Sequence, residues 1–222
     1  MARMNSESPR DRLLAAALRL LADEGPDALQ ARRVAAEIGA STMAVYTHFG
    51  GMGQLVEAVA VQGFVEFGAG LAAVPPHDDS LVHLFSIALA YRDFALNNAN
   101  LYRLMFGLSP GKSPAAVDFT AGQMGAAGPE GAAAFGHLLD GVTRVMASGR
   151  IHQGDPMSAA LQLWSAMHGY VLLEIAGFFG PDGDGIELVL VPLARNILIG
   201  MGDTAPPSLE SIRAVLATVR AT

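Results

Sequence analysis

The chain has 222 residues, 51% hydrophobic and 7% aromatic, enough to build a real core and to exclude disorder as the main state. It has no cysteine, which excludes a disulfide framework, a thiolate zinc cluster and a thiol nucleophile. The net charge is −7, yet six arginines balance six carboxylates in the first fifty residues. All the excess acid lies beyond them, so charge permits an N-terminal nucleic-acid site without demonstrating one.

Alanine and leucine at helical spacing dominate, and no run reads as a strand, so the predicted fold class is all-α. Ser8-Pro9 is a cap followed by proline at the first helical position, and Leu13, Leu14, Ala17, Leu18, Leu20 and Leu21 stripe the helix that Gly25-Pro26 ends. A short helix follows from about Ala31, with Val34, Ala35 and Ile38 on one face, and Gly39 stops it. Ser41 stands as the next cap before a short helix from Thr42 to Phe49, with Val45 and Phe49 pointing inward.

A longer helix runs from about Met52 to Val74, where Pro75-Pro76 breaks it. Asp79-Ser80 caps a helix to about Asn98, and Asn100–Gly107 forms another ahead of a loop at Ser109-Pro110-Gly111. Helices are predicted over Ala115–Ala126 and Glu130–Ala147, then from the Asp155-Pro156 cap to about Phe179. A turn at Gly180–Gly183 leads to Ile186–Met201, which Pro192 should kink, and Ser208–Ala221 closes the chain. The first apolar run is broken by Arg19 and the later ones by Glu174, Glu187 and Arg195. They leave no charge-free span of about 18 residues, so neither a signal peptide nor a membrane span is expected, and a soluble cytoplasmic chain is the expectation.

Two short helices joined by a glycine-containing turn, the second opening on Ser41-Thr42, describe a helix-turn-helix, whose second helix enters the DNA major groove. Spacing alone leaves two readings open: a DNA reader, or a helical hairpin whose polar residues merely solvate an exposed face.

Residues 13–55 resemble the N-terminal domain of the tetracycline-repressor-like (TetR) family without a gap. The matching positions are Leu13-Leu14, Ala16-Ala17, Leu20-Leu21, Gly25, Val34-Ala35, Gly39-Ala40-Ser41, Val45-Tyr46, His48-Phe49 and Leu55. The resemblance implies that Tyr46 and His48 contact phosphate, that Ser41 caps the helix and touches phosphate, and that Thr42, Met43, Ala44 and Thr47 face the groove. Arg32 would reach phosphate or base, and Arg10 the backbone. Three positions depart from the family: Gln30 replaces the usual Thr or Ser cap, Met43 a glycine, and Met52 a lysine that contacts phosphate. Met43 and Ala44 suggest partly apolar readout, such as contact with thymine methyl groups.

The rest of the chain contains Trp164 and His168 at i and i+4, followed by Gly169, and resembles the WHG class of C-terminal domains in the same family, as does Tyr91–Gly107. The implied division is a head over 1–54 and a helical body over 55–222 that binds a small molecule and dimerises. Phe94, Met105, Phe106, Phe119, Met124, Phe135, His137, Trp164 and His168 are the candidate ligand-binding residues, although a Trp and a His on one face are usually plain core packing. Asp140 and Arg144 are an i, i+4 pair, either on the surface or as a polar anchor. Val171, Leu172, Ile175, Phe178, Leu188, Val191, Ile197 and Leu198 are the candidates for a dimer interface.

No histidines pair at metal-ligand spacing and no nucleophile–base constellation appears, so no metal, cofactor or catalytic residue is expected, and the chain is not expected to be an enzyme. The expected function is a ligand-responsive repressor that binds a (pseudo)palindromic double-stranded DNA operator as a homodimer and is released by a small, mostly apolar effector. The alternative is a helical small-molecule binding protein whose DNA-binding head is weak or lost.

Overall fold

Three helices begin where a side chain accepts from their first N–H groups. The Ser8 side chain accepts from Asp11 N at 3.2 Å and opens α1 (Pro9–Glu24). Asp79 Oδ1 accepts from Leu81 N and Val82 N at 2.8 and 3.3 Å, opening α5 (Ser80–Asn97). Asp155 accepts from Met157 N and Ser158 N and opens α8 (Pro156–Ile175). The computed structural model describes residues 8–109, 128–180 and 185–203, together with Ser211, Ile212 and Val215. The other helices are α2 (Ala31–Glu37), α3 (Met43–Phe49), α4 (Met52–Ala72), α6 (Ala99–Met105), α7 (Gly128–Ala147) and α9 (Val191–Gly200), and every regular element among the described residues is helical. The predicted helix over Ala115–Ala126, with Phe119 and Met124, lies outside the described residues, as do most of the turn after Gly180 and most of Ser208–Ala221.

By backbone proximity the chain forms two units. The first takes the described residues up to Glu66 and those of Asn98–Ala132. Its core is Leu13, Ala16, Ala17 and Leu21 of α1, Val34 and Ala35 of α2, Val45 of α3, and Leu55, Val59 and Ala60 of α4, all at or near zero exposure. Asn100 of α6 donates to the Leu21 carbonyl at 3.0 Å, satisfying an acceptor at the end of α1. Gly63 of α4 lets α6 approach closely: a Cβ there would lie 2.7 Å from Met105 Sδ. Phe64 meets Phe106 edge-on at 5.5 Å, and Phe106 tilts against Tyr102 at 4.8 Å.

The second unit takes Phe67–Asn97 and the described residues from Ala133 onward. Phe67 packs edge-on against Tyr91 at 4.9 Å and against Phe94 at 5.0 Å, while Gly141 of α7 faces Leu84 of α5. Four segments meet at a polar clasp. Arg150 grips Asp203 with Nε and Nη2 at 3.1 Å each and lies 3.6 Å from Asp79 Oδ2, onto which Ser211 donates at 2.7 Å. Burial opposes the Asp79 charge, but the hydroxyl of Ser211, the two α5 N–H groups and Arg150 outweigh it and hold the carboxyl below its usual range.

The structure corrects the sequence reading at several places. The hydroxyl of Ser41 does not cap α3. Thr42 precedes the helix already in helical φ/ψ, and backbone bonds from Ala44 N to Ser41 O (2.9 Å) and Val45 N to Thr42 O (3.1 Å) close the first turn. α8 ends at Ile175, not near Phe179, because Gly177 at φ 84 turns the chain away. The segment after Gly185 is not one bent α-helix but a π-turn over Ile186–Leu190 followed by α9. Pro192 has no N–H to offer the preceding turn, which widens. Val171 and Leu198 are buried in the protomer's own core, whereas Phe178 and Leu188 are each 75% exposed. Arg144 donates to the His77 carbonyl at 3.1 Å rather than pairing with Asp140.

One helix, α4, is long and apolar enough by length and composition to cross a membrane. It carries Glu57 and Glu66, and its Leu55, Val59, Ala60, Phe64, Phe67 and Leu71 are buried in protein.

Candidate nucleic-acid interface

The geometry of α2 and α3 follows from how α2 ends. Gly39 at φ 68 adopts the left-handed conformation that lets Gly39 N bond Ala36 O (3.0 Å) and Ala40 N bond Ala35 O (2.9 Å), a Schellman closure. Arg12 of α1 reaches across and donates to the Ile38 carbonyl at 3.1 Å, tying the turn to the first helix. Gln30, the poor cap anticipated for α2, makes no capping bond and donates instead to the Asp27 carbonyl at 3.0 Å. Arg33 of α2 pairs with Glu24 of α1, a second link between these helices that spacing does not reveal.

α3 is pinned by one residue. Val45 is wholly buried, while Phe49 is only half-buried and has the Arg10 guanidinium 4.9 Å above its ring. Every other α3 side chain except the half-buried Ala44 is exposed: Met43 at 64%, Tyr46 at 52%, and Thr47 and His48 beside them. Ser41, Thr42 and Arg32 are exposed too, and Arg10 is exposed at the start of α1. All nine residues singled out for DNA therefore belong to the first unit, eight of them exposed. The Thr47 hydroxyl donates to the Met43 carbonyl at 2.8 Å and holds that side chain against its own helix. Gly50 at φ 84 ends α3.

The candidate ligand-binding residues divide. Met105 and Phe106 belong to the first unit; Phe94, Phe135, His137, Trp164 and His168 belong to the second. Within the second unit, α5 and α8 share a polar seam. Tyr91 Oη lies 3.2 Å from His168 Nδ1, and the His168 ring sits 5.2 Å from Trp164. Burial holds the His168 imidazole below its ordinary range, in the neutral form. Further along α8, Glu174 accepts from Nε and Nη2 of Arg92 at 2.8 and 2.7 Å, and Tyr170 donates to the same carboxylate at 3.1 Å. Burial disfavours the Arg92 cation, but the Glu174 hydrogen bond and charge outweigh it and raise the guanidinium further. Burial, then the Glu174 charge, pushes the Tyr170 phenol up to about 12. The pairing of Arg92 with Glu174 was not visible in the sequence, because residues 82 apart leave no local pattern.

Comparison with known proteins places both halves in one family. The profile described as "Bacterial regulatory proteins, tetR family" matches residues 13–59, and the one described as "Tetracyclin repressor-like, C-terminal domain" matches 84–193, which includes Trp164, His168 and Gly169. An HTH-type transcriptional regulator of Mycobacterium tuberculosis is 28% identical over 199 residues, 86% of this chain and 81% of that protein. A solved structure from Rhodococcus sp. RHA1 superposes with a TM-score of 0.72 at 27% identity, covering 91% of this chain and all of the other. RolR in complex with resorcinol shares the fold at 18% identity, with a TM-score of 0.59 and 92% of each chain covered. With a helix-turn-helix of this geometry, and with profiles of the family across most of its length, the chain belongs to the TetR family of DNA-binding transcriptional regulators.

Proposed function

We propose that the chain is a ligand-responsive repressor that binds a (pseudo)palindromic operator as a homodimer. Residues 1–54 would form the DNA-reading head and 55–222 the effector-binding and dimerising body. The observation that carries this reading is the outward face of α3. Met43, Tyr46, Thr47 and His48 stand in solvent on a helix fixed by Val45, the Arg12 tie and the Gly39 turn. A short helix presented in this way suits the major groove, and Tyr46, His48, Arg32 and Arg10 are the phosphate contacts expected around it.

Dimerisation is supported by the exposed Leu173, Phe178, Leu188 and Ile199 along the end of α8 and through α9, a stretch of apolar side chains that the protomer leaves in water. A two-fold dimer would set two heads on half-sites roughly 34–36 Å apart, or a multiple of that. The effector is expected at the aromatic residues of the second unit around Tyr91, Phe94, Trp164 and His168. RolR, which has the same fold, holds resorcinol. Release requires that the effector bind the non-DNA-binding conformation more tightly than the other.

The test is selection of duplexes from random DNA by the full chain, followed by gel shift at low and moderate salt and sedimentation of the free protein. A recovered palindrome bound by a dimer is the expected outcome. A chain that sediments as a monomer at micromolar concentration and retains no duplex at low salt overturns the proposal and favours a binding protein with a silent head.

A further inference from the structure

Bidentate reading of bases in the major groove draws on few side chains, Arg or Lys for guanine and Asn or Gln for adenine; Asp or Glu accepts from cytosine, and Ser or Thr makes single contacts without selecting one base. Between Arg33 and Gln54 the chain contains no Arg, Lys, Asn or Gln, and the one carboxylate in that interval, Glu37, ends α2. The helix expected in the groove therefore has none of the side chains that make bidentate contacts to a base edge.

Beside the polar tips of Tyr46 and His48, assigned above to phosphate, α3 offers an apolar strip. Met43 is its most exposed large hydrophobic side chain. Thr47, one turn on, donates its hydroxyl proton to the Met43 carbonyl, so its γ-methyl is the group left to face outward. Residues at i and i+4 lie side by side, which puts the Met43 thioether and the Thr47 methyl on one strip, with the Ala44 methyl at its edge. The groove presents one apolar feature that differs between bases, the C5 methyl of thymine.

We infer that α3 reads thymine through its C5 methyl group, with the Met43–Thr47 strip seated on thymines in each half-site. This rests on the operator binding proposed above and specifies how that site selects its DNA. Tyr46, His48 and Arg32 then set position and affinity, and the sequence preference of α3 comes from apolar contact.

The experiment uses the full chain and the duplex recovered from random DNA. Each thymine is replaced in turn by uracil, which removes the C5 methyl and nothing else, and the Kd is measured by fluorescence anisotropy. At each thymine under the strip, uracil should weaken binding by about fourfold, the transfer value of one methyl-sized group. Thr47→Ser, which keeps the hydroxyl, and Met43→Ala should weaken binding to the thymine duplex and erase the thymine–uracil difference at the position each side chain covers. A recovered duplex that binds equally well with uracil at every position overturns methyl reading and leaves operator binding intact. Failure to retain any duplex overturns operator binding itself, and this inference with it. The uracil series uses the unaltered protein, so it decides the question even where a variant folds poorly.

Discussion

Arg92 and Glu174 form a two-pronged ion pair between α5 and α8, with side chains only 13% and 7% exposed. Removing Glu174 leaves the largely buried Arg92 with only the exposed Asp93, 3.5 Å from its Nη1, as counter-ion, and removing Arg92 strands the buried Glu174 carboxylate. Glu174→Gln is therefore expected to lower stability by about 3–5 kcal/mol in urea unfolding, whereas replacing both with apolar residues of similar volume should cost far less. Equal losses in the single and double variants would contradict this.

His168 gives the second unit an acid limit. Burial lowers its folded pKa below the ordinary 6.5, so the neutral ring's contribution is present above about pH 6.5 and is lost as pH falls through the lower, folded value. Stability measured by denaturant from pH 7 downward should decline in the native chain and decline less in His168→Gln.

Tyr170 gives an alkaline limit. Its phenol is neutral in the fold up to about 12 against an ordinary value of 10.0, so stability is expected to hold below about pH 10 and to fall between about 10 and 12. Tyr170→Phe keeps the ring that stacks on Phe179 at 5.1 Å and removes the titrating group. Its unfolding should show a shallower alkaline decline.

Met52 opens α4 at the position where the family resemblance implies a lysine. Met52→Lys should tighten operator binding and steepen the dependence of log K on log salt by about one unit, the signature of one added phosphate contact. A cation in the first turn opposes the helix dipole, so a stability cost of a few tenths of a kcal/mol, on the order of 0.3, accompanies the gain.

Leu188 stands in solvent on the π-turn before α9. Leu188→Glu should leave the melting of the isolated protomer nearly unchanged and shift sedimentation toward monomer. Operator affinity should fall with it, because two heads on one duplex bind far more tightly than one.

The helices were legible wherever a local signal set them. Ser8-Pro9, Asp79 and Asp155-Pro156 announce their caps, and Gly25 and Gly39 their ends. The spacing reads Val45 and Phe49 as the inward anchors of α3, and the structure buries Val45 fully but Phe49 only by half; the groove-facing assignment comes from the family resemblance, not from spacing. The hydroxyl of Ser41 misled because the backbone had already closed the first turn. Long-range pairs such as Arg12 with the Ile38 carbonyl, Arg150 with Asp203, and Arg92 with Glu174 could not be read, because each depends on packing that brings distant segments together. For the same reason the candidate ligand-binding residues, selected by chemistry alone, fall in two different units.

If Arg10 contacts the operator as proposed, the unbound head competes with its own target. The Arg10 guanidinium rests on the Phe49 ring, a contact worth about 0.5–1 kcal/mol at an exposed site. If that arginine also meets a phosphate, the operator has to displace an aromatic face before it gains a cation. The net gain from the contact shrinks, while the counterion released from the duplex stays the same. Phe49→Leu would free Arg10 without altering its charge. That variant should bind any duplex slightly more tightly at an unchanged salt slope, so a residue that never touches DNA would set how readily the head engages it.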